Sequence, residues 1–175
     1  MKNFFLICVL CLSITSIFAA EFGPQKIVTS NATDVMDAFP ADMDGDGDID
    51  FLAAKPGNFF GGGAAVLYRN NGNGRFTELS PFTGGPTGLV SNIVASDLDN
   101  DGDLDVVLGS SGTRSGGVRV YRNNGNLRFT RTFDNANAPY LWDIHLGDVN
   151  KDNRPDIIFG LGGSFDQIGI YLNSG

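Results

Sequence analysis

The chain has 175 residues, of which 42% are hydrophobic, so it is long enough to bury a core and too apolar to be disordered. Its 24 glycines and 11% aromatic residues favour short strands joined by tight turns. The formal net charge is −8 and the basic residues form no run or stripe, which argues against nucleic acid as a partner.

Residues 1–20 have the pattern of a secretory signal peptide. Lys2 gives a positive start, residues 4–12 are an unbroken apolar run, and small residues follow. An uncleaved membrane anchor is the alternative, although the run is short for a spanning helix. Cys8 and Cys11 both lie inside this segment, so the mature chain is expected to be secreted, without disulfides and without a membrane span.

A short strand with a proline near its start is predicted at residues 21–29, and Asn31 begins a possible glycosylation sequon. Three similar units then follow. The first unit, residues 35–82, has predicted strands at 35–41, 51–54, 64–70 and 75–79. The second unit, residues 90–134, has them at 93–96, 106–109, 117–123 and 127–131. The third unit, residues 140–175, is incomplete, with strands at 142–147, 157–160 and 169–173.

Each unit contains a nine-residue acidic loop between its first two strands, and the sequence Tyr-Arg-Asn-Asn-Gly-Asn occurs at both 68–73 and 121–126. The loops begin at Asp42, Asp97 and Asp148, so the period is 55 and then 51 residues. Four short strands at this period are typical of β-propeller blades with four antiparallel strands. The sequence therefore predicts an all-β fold of about three blades, as a partial or open propeller.

The position within the repeat at which the first predicted strand falls indicates how such a propeller could close. Phe22 precedes its loop by about the same distance as Phe76 and Phe129 precede theirs. Residues 21–34 are therefore predicted to be the fourth strand of a split blade. Propellers generally have four or more blades. The alternatives are a fragment of a longer protein, self-assembly of copies into a complete ring, or an open arc.

The loops carry 13 of the 20 acidic residues, a local density that suits a hard cation. Positions 1, 3, 5 and 9 are predicted to offer side-chain oxygens: Asp42, Asp44, Asp46 and Asp50; Asp97, Asp99, Asp101 and Asp105; and Asp148, Asn150, Asp152 and Asp156. Position 7 is predicted to offer its backbone carbonyl: Asp48, Asp103 and Arg154. Position 6 is predicted to be left-handed: Gly47, Gly102 and Asn153.

Calcium is the predicted ion, because Ca²⁺ accepts six to eight oxygen ligands in a flexible geometry, whereas Mg²⁺ requires a stricter octahedron. Zinc and copper are disfavoured by the lack of thiolates and the single histidine. The third loop is expected to bind more weakly, because it has Asn150 at position 3 and two basic residues. A solvated acidic turn without metal is the alternative, but it leaves the repulsion between carboxylates uncompensated.

The blocks at residues 41–50 and 97–109 resemble the FG-GAP repeats of integrin α-subunit β-propellers. Together with the Tyr-Arg-Asn-Asn-Gly-Asn hairpins, they are most similar to the VCBS-type FG-GAP repeats of secreted proteins. The resemblance implies calcium loops that link the first two strands of each blade. It does not fix a function, because this family includes adhesion modules, lectins, lyases and phospholipases.

Other candidate residues are few. His145, beside Asp143, is a possible base but is more readily explained as a packed or channel-lining residue. Tyr140 and Trp142 are possible sugar-stacking residues, although core or ring-axis positions explain them better. The pair at 59–60, Phe-Phe, is a possible contact at a loop tip.

The sequence thus favours a secreted, calcium-binding β-propeller module that binds an extracellular protein or glycan, with calcium in a structural role. A polysaccharide-acting enzyme, a lyase or hydrolase, on a propeller scaffold is the alternative. It would need acids or bases outside the nine-residue loops.

Overall fold

The computed structural model describes residues 23–29, 34–56, 63–82, 89–112, 116–136, 138, 140–163 and 166–175. The predicted signal peptide, the sequon at Asn31 and the phenylalanine pair at 59–60 lie outside these residues. Within the described ranges, no helix is long and apolar enough to cross a membrane.

Over these ranges the chain forms eleven strands and no helix: β1 (Asp37–Ala41), β2 (Asp50–Lys55), β3 (Ala64–Asn70), β4 (Phe76–Leu79), β5 (Leu89–Ser96), β6 (Asp105–Ser111), β7 (Gly117–Asn123), β8 (Phe129–Asn135), β9 (Leu141–Gly147), β10 (Asp156–Leu161) and β11 (Gln167–Tyr171). They make three antiparallel sheets, ordered β1-β2-β3-β4, β5-β6-β7-β8 and β9-β10-β11. The all-β class and the open, blade-like sheets are confirmed.

The strand predicted at residues 21–29 is not formed over its described part, residues 23–29. Pro24 has no N–H to donate, and a β-strand forms only where a neighbouring strand edge accepts and donates its ladder hydrogen bonds. The other predicted strands are present, with ends that differ by a few residues. β5 begins four residues earlier than predicted and β8 ends four residues later, because they pair along most of the length of β6 and β7.

The first strands of the three sheets are neighbours, with β5 packed against both β1 and β9. The Ile93 N–H donates to Asp37 Oδ2 at 3.0 Å, which joins β1 to β5. One hydrophobic cluster lies between the first and second sheets and includes Leu52 and Leu108. A second cluster lies between the second and third sheets and includes Val107 and Ile144. Each sheet therefore packs face to face on the next, and each nine-residue loop connects the first two strands of its sheet.

Candidate metal centre

The first residue of each loop holds the loop closed through its carboxylate. Asp42 accepts the backbone N–H groups of Gly45 (2.9 Å), Asp46 (3.2 Å) and Gly47 (2.9 Å). The corresponding bonds run to Asp97 from Asp101 and Gly102, and to Asp148 from Asp152 and Asn153. This is the local hydrogen bonding that makes aspartate common in turns.

Two backbone positions in each loop are left-handed. Position 6 has φ of 91° at Gly47, 93° at Gly102 and 68° at Asn153, as predicted. Position 4 is also left-handed, with φ of 73°, 61° and 65° at Gly45, Asn100 and Lys151. Sequence analysis missed position 4, although glycine and asparagine there in the first two loops are the residues that tolerate such a backbone.

The last aspartate of each loop is buried and joins the loop to the third strand of its sheet. Asp50 accepts the Met43 N–H at 3.0 Å with one oxygen and the Asn70 N–H at 2.7 Å with the other. Asp105 and Asp156 make the same pair of bonds in their sheets. Burial raises the pKa of the Asp50 and Asp105 carboxyls above the usual aspartate value, and these hydrogen bonds oppose that shift.

In the first two loops, the carboxylates of positions 1, 3 and 9 lie close together. One oxygen each from Asp42, Asp44 and Asp50 lies within 4.8 Å of the others, and Asp97, Asp99 and Asp105 are arranged in the same way. Oxygens bound to one Ca²⁺ at 2.3–2.6 Å have this order of separation. Asp44 Oδ1 is buried and has no hydrogen-bond partner among the described residues. Each group of three can therefore hold a metal ion, and the all-oxygen donor set fits a hard cation.

Positions 5 and 7 lie outside these two groups of carboxylates. At position 5, Asp46 accepts the N–H of Asp48 at 2.9 Å, and the other loops repeat this bond. At position 7, the Asp48 carboxylate lies against the β3–β4 hairpin, where a Cβ on Gly72 would be 2.8 Å from Asp48 Oδ2. The side chain of Asp103 has the same relation to Gly125. The position-7 side chains of the first two loops thus point to a hairpin, and the backbone carbonyl stays the predicted ligand there.

Arginines of the third strands contact the acidic loops. Arg69 Nε lies 3.0 Å from Asp44 Oδ2 in the first sheet. In the second sheet, Arg122 lies 2.7 Å from Asp99 and 3.1 Å from Asp101. The pKa of Asp101 is lowered, first by the Asp103 N–H and then by Arg122. Each cation relieves repulsion among the carboxylates and also competes with a metal for them.

The third loop is built differently. The Asn150 amide donates to Asp152 Oδ2 at 3.0 Å, and Arg154 of the same loop approaches that oxygen at 2.8 Å. The amide, more than Arg154, lowers the pKa of Asp152. Leu172 stands where the other sheets have arginine. Among the described residues this loop forms no group of three carboxylates like the other two.

Sequence analysis also missed the role of the first asparagine in the Tyr-Arg-Asn-Asn-Gly-Asn sequence. The Asn70 side chain donates to the Ile49 carbonyl at the end of the loop and accepts the Gly72 N–H of the hairpin. Asn123 and Asn173 make the corresponding pairs of bonds in the other sheets. The repeated hairpin sequence is therefore part of the support of the metal-loop geometry.

Two other candidate residues lie outside the core. Trp142 is not in the core: it is 70% exposed, with its ring against the backbone of Gly162. His145 is not packed either, since its side chain is largely exposed and contacts the exposed Asp143 carboxylate at 3.0 Å. The alternation of apolar and polar residues along β9 does not reveal that neighbouring strands leave one of its faces exposed to solvent.

A model of the FG-GAP-like repeat family matches residues 42–108 and, again, residues 97–159. Together the two matches span more than half of the chain and include all three acidic loops. A search of curated proteins found no match. The chain belongs to the FG-GAP-like repeat family.

Proposed function

We propose that this protein is a secreted, calcium-binding module that binds an extracellular protein or glycan, and that calcium is structural. The observation that carries the proposal is the pair of three-carboxylate groups in the first two loops, one of which contains the buried Asp44 oxygen without a hydrogen-bond partner. Calcium is preferred because the donors are all oxygens and Ca²⁺ accepts them in a flexible coordination geometry, whereas Mg²⁺ requires a near-octahedral one and retains several waters.

Bound calcium would neutralise the clustered carboxylates and complete the coordination of the loop. Asp42, Asp44 and Asp50 would hold it in the first loop, with the Asp48 backbone carbonyl as a further ligand. Asp50 also joins the loop to β3, so the ion would stabilise the connection between the first three strands. Neutralising a buried carboxylate removes a penalty that the chain otherwise carries.

An exposed aromatic surface supports the proposed binding role. Trp142 lies on β9, and Tyr140 next to it is partly exposed. Their rings rest against Gly162 and Gly163, where a Cβ would meet them. Large aromatic rings held in place at a surface are favourable contacts for sugars and for protein side chains. The enzyme alternative would rest on His145 and Asp143, an exposed pair.

The test is binding of the mature chain to an array of glycans and extracellular proteins, with calcium and with chelator. Wild type is compared with Trp142→Ala and with the matched control Tyr68→Phe, which alters an aromatic residue on another sheet. Binding that needs Trp142 and survives Tyr68→Phe supports the module. Turnover of a polysaccharide that Asp143→Asn abolishes would instead support the enzyme, and binding unaffected by Trp142→Ala would contradict the proposed surface.

A further inference from the structure

Asparagine is followed by glycine at three places in the β3–β4 and β7–β8 hairpins. The three pairs are Asn71–Gly72, Asn73–Gly74 and Asn124–Gly125, and all three asparagines are exposed. Glycine has no side chain to keep its backbone nitrogen away from the preceding asparagine side chain, so the two can join in a five-membered ring. Water opens this ring to aspartate or isoaspartate. Each pair is therefore a place where the chain could be modified without an enzyme.

In the first of these pairs, hydrogen bonds hold both of the groups that would react. The Asn71 amide NH₂, which would leave as ammonia, donates to the Arg75 carbonyl at 3.0 Å and to Thr77 Oγ1 at 3.1 Å. The Gly72 N–H, whose nitrogen would attack, donates to Asn70 Oδ1 at 3.1 Å. Ring closure would have to break these bonds, so the folded hairpin protects Asn71.

The second hairpin repeats this protection. The Asn124 amide NH₂ donates to the Arg128 carbonyl at 3.1 Å and to Thr130 Oγ1 at 3.0 Å. The Gly125 N–H donates to Asn123 Oδ1 at 3.2 Å. Asn124 is therefore held by the same three kinds of bond as its counterpart in the first hairpin.

The pair Asn73–Gly74 lies in the first hairpin but is bonded differently. In the part of the chain that the structure describes, no hydrogen bond holds the Asn73 amide NH₂ or the Gly74 N–H. The one bond of this side chain favours the reaction: Asn73 Oδ1 accepts the Arg75 N–H at 3.1 Å. A donor on this oxygen stabilises the negative charge that develops there when the carbonyl carbon is attacked.

We propose that Asn73 is a site of spontaneous deamidation in the folded chain, and that Asn71 and Asn124 are protected from it. The Gly74 nitrogen loses its proton to solvent and bonds to Asn73 Cγ, and the Cγ–Nδ2 bond breaks to release ammonia. One water molecule then opens the cyclic imide at either carbonyl, which gives aspartate or isoaspartate. No oxidant or reductant takes part. The proposal does not depend on the proposed binding function.

The position of Asn73 connects this modification to the first metal loop. Asn70 of the same hairpin donates to the Ile49 carbonyl, and Gly72 lies against the Asp48 carboxylate. Isoaspartate would lengthen the main chain by one carbon next to these contacts, and either product would add a negative charge beside Asp48. Modification would thus change the hairpin that supports the loop.

The experiment ages the mature chain at neutral pH with calcium and follows each asparagine by peptide mapping with mass spectrometry. A synthetic peptide of residues 67–79 reports the two pairs of the first hairpin without the fold. In the peptide, Asn71 and Asn73 should convert at rates within about threefold of each other. In the folded chain, Asn73 should convert at least about tenfold faster than Asn71 or Asn124, because only the latter two must break several hydrogen bonds first.

Two matched variants test the protection itself. Thr77→Val removes one acceptor of the Asn71 amide and keeps a β-branched residue on β4, so Asn71 should convert several-fold faster while Asn124 is unchanged. Thr130→Val should do the reverse in the second hairpin. Unchanged far-UV circular dichroism controls for folding in both variants.

Three outcomes would overturn the proposal. The first is an Asn71 or Asn124 that converts as fast as Asn73 in the folded chain, because the hydrogen bonds would then give no protection. The second is an Asn73 that converts in the peptide but not in the folded chain, because the fold would then block the reaction there as well. The third is a pair of threonine variants that leave all rates unchanged, because the protection would then come from another source.

Discussion

The carboxylate of Asp50 accepts the backbone N–H of Asn70 at 2.7 Å, across 20 residues of sequence. Its other oxygen accepts the Met43 N–H at the start of the loop. One buried side chain thus fixes the loop to the third strand, and Asp105 and Asp156 repeat the arrangement.

Asp50→Asn should destabilise the fold with and without calcium, by about 1–3 kcal/mol in chelator. An amide offers only one acceptor oxygen, so one of the two buried N–H groups would face an NH₂ donor. Urea unfolding measures the change. The control is Asp48→Asn, at position 7, where the carboxylate lies at the surface against the hairpin. Equal stability of Asp50→Asn and wild type in chelator would contradict the account.

Arg122→Gln should tighten calcium binding at the second loop several-fold at low salt and should lower stability in chelator. Arg122 contacts Asp99 and Asp101, so its removal takes a competing cation from the site and leaves the carboxylates to repel one another. Calorimetric titration measures the affinity, and added salt should shrink the difference. Arg128→Gln, on the nearby hairpin, is the matched control. A weaker calcium affinity in Arg122→Gln would contradict this prediction.

Lys151→Gly should stabilise the chain in chelator by about 1 kcal/mol. Lys151 has φ of 65°, a left-handed conformation that costs a side-chain-bearing residue roughly 1–2 kcal/mol, partly offset by the greater freedom of glycine when unfolded. Lys151→Ala is the control, since it removes the charge and keeps the strain. The thermal midpoint should rise in Lys151→Gly and not in Lys151→Ala. An equal rise in both variants would show that the effect comes from the lost charge and would contradict the prediction.

In chelator, stability should fall as pH rises through the interval just above the ordinary aspartate pKa of 3.8. The folded-state pKa values of Asp50 and Asp105 are raised by burial, so the folded state binds their protons more tightly than the unfolded chain does. Their contribution is fully present below 3.8 and is lost above the raised values. The pKa values of Asp101 and Asp152 are lowered in the folded state, so these residues have the opposite effect: their contribution to stability is lost as pH falls below 3.8.

Urea unfolding across this pH range is the measurement. Saturating calcium should reverse the trend above 3.8, because the ion binds the deprotonated carboxylates. Asp105→Asn should flatten the slope in chelator, and Asp143→Asn, on an exposed strand position, should not. A slope of the opposite sign above 3.8 in chelator would contradict the raised pKa values.

Local chemistry explains what the sequence could predict. A cation loop can be predicted from nine residues, because carboxylates alternate along it and position 6 is glycine or asparagine. The spacing between the loops predicts a unit of four strands. Long-range partners explain what it missed. Asp50 appeared only as a ligand, because its bond to Asn70 depends on how β3 pairs with β2. The strand predicted at residues 21–29 is not formed over residues 23–29, because strand formation depends on a neighbouring edge that alternation does not identify. The exposure of Trp142 could not be predicted, because alternation does not reveal which face of a strand a neighbour covers.

Calcium titration of the chelator-treated chain by isothermal calorimetry measures directly whether the acidic loops bind calcium. We expect two sites of similar, high affinity and a weaker third. Asp44→Asn should remove the first strong site and Asp99→Asn the second, while Asp143→Asn should leave both. Magnesium should bind much more weakly at each. Absence of calcium binding, or binding unchanged in the Asp44→Asn and Asp99→Asn variants, would contradict the assignment of these loops as calcium sites.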